Sequence, residues 1–392
     1  MYRRESSETV ERRLLEPRRF VQIVSGPRQT GKTTAVKQAL QFACVSSRYA
    51  TADGLMVPPA SWLESEWSQA RDLARMNGRA ILVLDEVQKI KGWADLVKRL
   101  WDEDSWNDVP LLVVLTGSSS LLLQKGYSES LAGRYEVIRS SHWSLAEMET
   151  AFGYSMEDYL LFGGYPGGAA LKDDEERWLE YMRDSIIEAT LSRDVLQMEE
   201  IRKPALLRNL FILGAQYSAQ ELSYRKMLGQ LDDRGNTATL AHYLELLSQA
   251  GLLTGLQKYG AKDINARASS PRLLAYDPAL MSATWSEARE RLLGIPDNRG
   301  HLVESAVGAR LLARKDRERF EVCWWRAGDK EVDFVLKKGD ALVALEVKSG
   351  RVKSTDGMAE FRKLYPYARP MVVGDANTPV ETFLRDEVPL FE

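Results

Sequence analysis

The chain has 392 residues, of which 44% are hydrophobic and 28% charged, with a formal net charge of −3. At about 100–200 residues per domain this length points to two to four domains, and the composition excludes a disordered or fibrous chain. The near balance of charge excludes the strong, unspecific nucleic-acid binding that a basic excess gives, so any contact with DNA must be local.

The two cysteines, Cys44 and Cys323, lie far apart and fit neither a disulfide framework nor a zinc-ligand spacing, which predicts a reducing, cytoplasmic setting. Residues 1 to 19 are dense in Arg and Glu without an apolar core, and runs such as Leu111 to Leu115 are far shorter than a membrane span. Neither export nor membrane insertion is expected.

Short apolar runs at Phe20 to Val24, Ala80 to Leu84 and Leu111 to Leu115 alternate with amphipathic segments in the first 155 residues. Such alternation predicts an α/β domain with a doubly wound parallel sheet. Directly after the first run stands Gly26-Pro27-Arg28-Gln29-Thr30-Gly31-Lys32-Thr33, followed by Thr34 and a helical pattern to Phe42. This is a P-loop in its required strand-to-helix context, and a chance match in such a chain is on the order of one in a hundred. Glycines let the backbone wrap a phosphate chain, amides at the helix start donate to it, and Lys32 places a point charge on the β and γ oxygens of ATP. The Thr33 hydroxyl is the expected Mg²⁺ ligand. Asp85 and Glu86 close the second apolar run, where Asp85 is expected in the Mg²⁺ shell and Glu86 behind the attacking water. Thr116 and Ser118, at the end of the third run, are candidates to sense the γ-phosphate.

Residues 156–203 read as a helical connector interrupted by the turn-rich stretch from Phe162 to Gly168. Residues 204–292 show three helical patterns, the second expected to open on a capping box at Ser218 and Glu221, then a strand-like Leu252 to Tyr259. This predicts a winged helix-turn-helix. The third helix, Thr237 to Gln249, would bury Leu240, Leu244 and Leu247 and present Thr239, His242, Glu245 and Gln249. Thr, His and Gln suit DNA, whereas Glu245 would repel its backbone. Arg225, Lys226, Arg234, Lys258 and Lys262 form a modest basic patch offset by Asp232 and Asp233. Packing or a protein partner is the alternative use of this element.

Residues 293–392 predict a small α/β domain, with a helix from His301 to Arg314 and strands around 320–325, 331–336, 341–347 and 370–373. The middle two read as a hairpin. With Lys337 opposite Asp340, Asp333 faces Ala344, and Asp333, Glu346 and Lys348 share the face opposite Val332, Phe334, Val343, Leu345 and Val347. Residues two positions off a facing pair lie about 7–8 Å apart, within reach of one divalent cation. Glu304, on an otherwise apolar helical stretch, needs a partner and is the fourth candidate. An ion-paired, solvated strand face is the alternative.

The Gly26 to Thr33 run, Leu84-Asp85-Glu86-Val87-Gln88, Leu115-Thr116-Gly117-Ser118-Ser119 and Ser130-Leu131-Ala132-Gly133-Arg134 together resemble a prokaryotic family of AAA+-type ATPases carrying a C-terminal domain of unknown function. The resemblance covers nearly the whole chain and implies ATP and Mg²⁺ as cofactors. It implies that Arg134 reaches a γ-phosphate, in cis or across a homo-oligomer; a structural pairing with a carboxylate is the alternative. The pattern Glu304, Asp333, Glu346 and Lys348 resembles restriction-endonuclease-like folds, in which such carboxylates bind Mg²⁺ and the lysine helps activate water. The resulting expectation is an ATPase coupled to a DNA-binding or nuclease-like C-terminal half. A nucleotide-controlled switch acting on a partner protein is the alternative.

Overall fold

The computed structural model describes residues 2–53, 59–117, 130–196, 201–231, 236–260, 270–285, 289–349 and 356–391. The chain forms two compact units, Met1–Ser141 and His142–Glu392.

The first unit is built on five parallel strands, β1 (Val21–Ser25), β2 (Ser47–Thr51), β3 (Ala80–Asp85), β4 (Leu111–Gly117) and β5 (Tyr135–Arg139), in the order β2-β3-β4-β1-β5. Strand side chains alternate between faces, and both faces are covered. Val10 and Leu14 of α1 (Glu5–Leu15) and Val36 and Ala39 of α2 (Lys32–Ala43) pack with Val24, Ile81, Val83 and Val114. On the other face Leu63 and Trp67 of α3 (Ala60–Asn77) and Val97 and Trp101 of α4 (Trp93–Trp106) pack with Ile23, Leu82, Leu84 and Val113. This is the expected doubly wound parallel sheet. Strands β2 and β5 were not expected, because neither carries a continuous apolar run.

The second unit begins with α5 (Leu145–Phe152) and α6 (Met156–Phe162), capped by Ser144 and Ser155 through reciprocal side-chain and backbone bonds. It then holds one sheet of seven strands, β6 (Gln220–Glu221), β7 (Leu253–Lys258), β8 (Arg272–Ala275), β9 (Glu321–Ala327), β10 (Lys330–Lys338), β11 (Ala341–Val347) and β12 (Arg369–Val373), in the order β12-β11-β10-β9-β7-β8-β6. Helices α7 (Pro204–Gln216), α8 (Tyr224–Gln230) and α9 (Thr237–Gln249) alternate with β6, β7 and β8. Strand β8 pairs antiparallel with both β6 and β7. Strand β7 also pairs in parallel with β9 (Glu321–Ala327), so the stretch expected as a winged helix and the C-terminal stretch share one sheet. The long helix α10 (Pro296–Glu318) covers one side, its Gly308 packed against Leu274 and Phe334. On the other side Met358 and Phe361 of α11 (Asp356–Leu364) pack with Trp325, Val335 and Ala344.

Two local expectations are corrected. Ser218 does not cap a helix: its buried hydroxyl meets Ser305 Oγ at 2.7 Å and accepts from the Ala275 amide at 3.0 Å. The next helix is capped by Ser223, which accepts from the Lys226 amide. In the hairpin of β10 (Lys330–Lys338) and β11 (Ala341–Val347), Lys338 and not Lys337 closes the loop, opposite Ala341. The turn is Gly339-Asp340, with Gly339 at φ 57°, a conformation glycine adopts without a Cβ penalty. The pairing therefore slides by two positions and brings Asp333 level with Glu346. An even slide leaves Phe334 on its expected face, but an irregularity in the pairing of β10 with β9 between Val332 and Val335 corrects the placement of Val332, which packs with Val335 and Ala344 against Met358 and Phe361.

The glycine-rich stretch after α6 has a packing role. Gly163 sits at φ 63°, and a Cβ there would stand 1.8 Å from Asp277 Oδ1. Asp277 is fully buried and accepts from the amides of Gly164 at 2.9 Å and Ala279 at 3.0 Å. Burial raises its carboxyl from 3.8 to about 7 against the opposing pull of those amides. The folded state therefore holds a proton that the unfolded chain has already lost. The stability contributed by that proton is full below about pH 4 and is lost as pH rises through about 7. Asp277→Asn should flatten the fall in stability between pH 4 and pH 7, measured by urea unfolding at several pH values, and an unchanged slope would rule out this origin. Gly163→Ala should cost roughly 1–3 kcal/mol in the same assay.

Candidate nucleotide site

In a parallel sheet all strands end at the same edge, and there the first unit gathers its chemistry. The P-loop leaves β1 at Gly26, where a Cβ would stand 2.0 Å from the Ser140 carbonyl oxygen, so only glycine fits beside the end of β5. Thr30 is buried and donates to the Pro27 carbonyl at 3.0 Å, tying the loop across itself. Arg28 is half-buried, Gln29 is exposed at φ 57°, and Gly31 stands at the N-cap of α2. Lys32 is 8% exposed and donates to the carbonyls of Gly26 at 2.9 Å and Pro27 at 2.5 Å. Thr34 lies exposed on the first turn of α2. Arg4, ahead of α1, braces the loop by donating to Thr30 O and Ser140 Oγ, both at 3.2 Å.

Asp85 ends β3 next to this loop. Its Oδ1 accepts from the Thr116 hydroxyl and from the Glu86 amide at 3.1 Å; its Oδ2 accepts from Tyr49 and faces Thr33 Oγ1 at 3.4 Å. Asp85, Thr33 and Thr116 are thus brought together as the sequence predicts. Ser118 lies outside the described residues. The Thr33 hydroxyl and the Asp85 carboxylate are hard oxygen donors side by side, a set that fits Mg²⁺. Glu86 follows at φ 55°, with its Oε2 accepting from Gln88 Nε2 at 2.6 Å.

Sequence reasoning missed Tyr49. It stands on β2 opposite Val83, with Lys37 Nζ 5.2 Å from its ring centre. Burial and then the hydrogen bond to Asp85 push its phenol well above the usual range. The aromatic and β-branched residues of Ser47-Arg48-Tyr49-Ala50-Thr51 were the available signal for a strand.

Arg134 is not brought to the loop of its own chain. It precedes β5, and its carbonyl accepts from the Val21 amide at the start of β1, the sheet edge opposite the P-loop. Five strand residues separate the two edges, about 15 Å. Its guanidinium pairs with both oxygens of Asp102, at 2.7 and 3.1 Å. The expectation of a reach in cis is corrected on this ground.

The C-terminal candidates do meet. Glu346 is buried, accepts from the Met358 amide at 3.0 Å and lies 3.0 Å from Lys348 Nζ. Asp333 accepts from the Val347 amide at 2.8 Å, and burial pushes its carboxyl up. A residue the sequence did not flag stands among them: Arg272 of β8, 3% exposed, pairs with Glu304 and Glu331 and lies 3.5 Å from Asp333. Among the described residues no group of three or more His, Cys, Asp or Glu side chains is arranged to hold a metal ion. On α9, Leu240, Leu244 and Leu247 are buried, His242 and Glu245 are exposed, and Gln249 donates to Glu245 at 2.7 Å. Thr239 and Lys258 are half-buried, and Arg225 and Lys226 are exposed. Residues 232–235 and 261–269, with Arg234, Lys262, Asp232 and Asp233, lie outside the described residues. Among the described residues no helix is long and apolar enough to cross a membrane.

Comparison with known proteins agrees with the first unit's geometry. Residues 18–149 match the model of an AAA domain, which identifies a P-loop domain of the AAA type. Residues 154–294 and 299–389 match two models described as domains of unknown function, DUF8612 and DUF4143. An uncharacterized protein of Haemophilus influenzae is 21% identical over 350 residues, covering 84% of this chain and 82% of that protein. One of Mycobacterium tuberculosis is 29% identical over 280 residues, covering 71% of this chain but 57% of its own length. Among solved structures, the Thermotoga maritima RuvB Holliday junction branch migration motor aligns over 64% of this chain and 86% of that one, at 16% identity and a TM-score of 0.33. AMPPCP-bound DnaA from Aquifex aeolicus aligns over 64% and 90%, at 15% identity and a TM-score of 0.34. Superpositions this loose transfer no activity to this chain.

The Arg272 cluster makes a prediction of its own. Removing one partner of a buried charge network costs about 3–5 kcal/mol, because the remaining charges stay desolvated. Arg272→Met should lose about that much stability at pH 7, and less near pH 4, where the orphaned carboxyls take up protons. Equal losses at both pH values, read by denaturant unfolding, would show that the charges of Glu304, Glu331 and Asp333 are not the cause.

Proposed function

We propose that this chain is a Mg²⁺-dependent ATPase whose nucleotide site lies at the carboxyl edge of the five-stranded sheet. The observation that carries the reading is the convergence of the P-loop threonine Thr33 and the β4 threonine Thr116 on the carboxylate of the β3 aspartate, Asp85. The amides from Gly26 to Thr34 cradle the phosphates, and Lys32 exchanges its loop carbonyls for the β and γ oxygens. Thr33 and Asp85 would hold the metal. Mg²⁺, when bound, neutralises charge on the phosphate oxygens. Glu86 orients water once it leaves Gln88, and Thr116 and Ser118 sense the γ-phosphate. Arg134 acts in trans, reaching the site of a neighbouring copy in a homo-oligomer after leaving Asp102. Lys32→Ala should abolish ATP binding, whereas Glu86→Gln should bind ATP and lose at least about a hundredfold in turnover. Nucleotide binding and phosphate release measured on both variants check this; Lys32→Ala behaving like the parent would refute the site. Arg134→Ala should bind ATP and turn over slowly, and recover activity on mixing with Lys32→Ala.

A second reading concerns the second unit, and two observations support it. The order α7-β6-α8-α9-β7-β8 resembles that of a winged helix, and Glu304 and Asp333 meet at Arg272 while Glu346 pairs with Lys348 on the neighbouring strand. On this reading ATP controls an act on DNA, with Arg272 giving way to a divalent cation. The full chain should then bind DNA with marked salt dependence, and nick it with Mn²⁺ in a way that Lys348→Ala abolishes. DNA binding without nicking would leave the winged helix alone; neither activity would favour a switch that acts on a protein partner.

A further inference from the structure

The Asp85 carboxylate needs its two oxygens held in different ways. Oδ1 is tied by the Thr116 hydroxyl and the Glu86 amide, which fix the plane of the group. Oδ2 is the oxygen that faces Thr33 at 3.4 Å, and it is therefore the one turned toward the metal position. That same oxygen accepts from Tyr49. Tyr49 stands opposite Val83, two residues before Asp85 on the adjacent strand, so both side chains leave the same face of the sheet. Crossing a strand on that diagonal spans about 7–8 Å between backbones, a gap that a phenol bridges and a serine or threonine hydroxyl does not. Tyr49 is half-buried, and its ring packs against the cluster formed by Val24, Val36 and Val83, so the hydroxyl is carried on an anchored base.

From this geometry we infer that Tyr49 is a positioning residue for the metal of the nucleotide site: its hydroxyl holds Asp85 Oδ2 in the orientation that Mg²⁺·ATP requires. The inference rests on the P-loop reading above. Groups that hydrogen-bond a metal-binding carboxylate typically account for a 10- to 100-fold change in metal affinity, because an untethered carboxylate must be reoriented for every binding event. Tyr49 does not touch ATP on this account, so ATP binding without metal is left unchanged by its loss. Its hydroxyl also reaches the Thr33 hydroxyl, so it borders both side chains that would hold the metal, and when Thr33 turns to the metal the phenol keeps its bond to Asp85.

The test uses the full chain and a fluorescent, non-hydrolysable ATP analogue. Its affinity is measured in EDTA and then as a function of added Mg²⁺ or Mn²⁺. Tyr49→Phe keeps the ring and removes only the donor, so the fold is preserved, as checked by circular dichroism and thermal midpoint. The expected result is unchanged affinity in EDTA with the half-saturating Mg²⁺ concentration raised about tenfold. In an Asp85→Asn background the same substitution should shift the Mg²⁺ half-saturation much less, because Tyr49 acts chiefly through that carboxylate. An unshifted Mg²⁺ half-saturation in a folded Tyr49→Phe protein overturns the inference, as does a loss of affinity in EDTA as large as the loss with metal. Failure of the underlying reading looks different: the unaltered protein would then bind no analogue in either condition.

Discussion

A carboxylate at the end of a buried strand must be hydrogen-bonded or neutralised, and how Asp85 meets that demand organises the first unit. Its donors come from the P-loop helix, from β2, from β4 and from its own next amide. Each donor fixes one element relative to the others. The order β2-β3-β4-β1 places a donor strand on each side of β3 and leaves β4 between the aspartate and the P-loop strand. Thr116 occupies that intervening position, so a hydroxyl rather than an apolar side chain bridges the two halves of the site. A buried acceptor left short of donors costs several times what one surface hydrogen bond returns. The same three hydroxyls that stabilise the fold are therefore the ones that set the geometry for a hard cation.

What the sequence reveals of this site follows from which interactions are local. The P-loop is legible because its requirements fall within eight consecutive residues: close approach at Gly26, a helix start at Gly31, a cation and a hydroxyl after it. Strands β3 and β4 are legible because both faces are covered and their apolar runs are unbroken. Strand β2 escapes notice because it is an edge strand with one buried residue, Ala50, and its tyrosine acquires a role only through register with β3. Arg134 shows the limit of a local motif: the pattern suggests reach to a phosphate, in cis or across a homo-oligomer, whereas parallel topology carries the residue to the far edge of its own sheet, next to the start of β1 and paired with Asp102.

The second unit shows how parity protects a wrong register. Sliding the β10–β11 pairing by two residues keeps the parity of the two paired strands, so Asp333 stays with Glu346 and Lys348, while the irregularity between Val332 and Val335 moves Val332 to the face of Val335 and Ala344. What pairing alone could not reveal is that this face is covered. Met358 and Phe361 pack across it, and the Met358 amide supplies a donor to Glu346 from outside the hairpin. Nor does any local pattern mark Arg272, whose partners lie at least 32 residues away in the chain.

Arg272 changes what the cluster demands physically. Four carboxylates, Glu304, Glu331, Asp333 and Glu346, are balanced by Arg272, Arg326 and Lys348 through direct ion pairs. An arginine buried in such a network is stabilised by several partners at once, and withdrawing it exposes each of them to desolvation without a counter-charge. A divalent cation can take its place only if it brings at least comparable charge to the same oxygens. Mg²⁺ does so with two charges against one, but it also sheds hydration reluctantly. Within the cluster Glu346 is tied by the Met358 amide and Lys348, whereas Glu304 and Asp333 meet at Arg272. Because Arg272 is carried by β8, whose neighbours in the sheet are β6 and β7, its ion pairs tie that part of the sheet to α10 and β10.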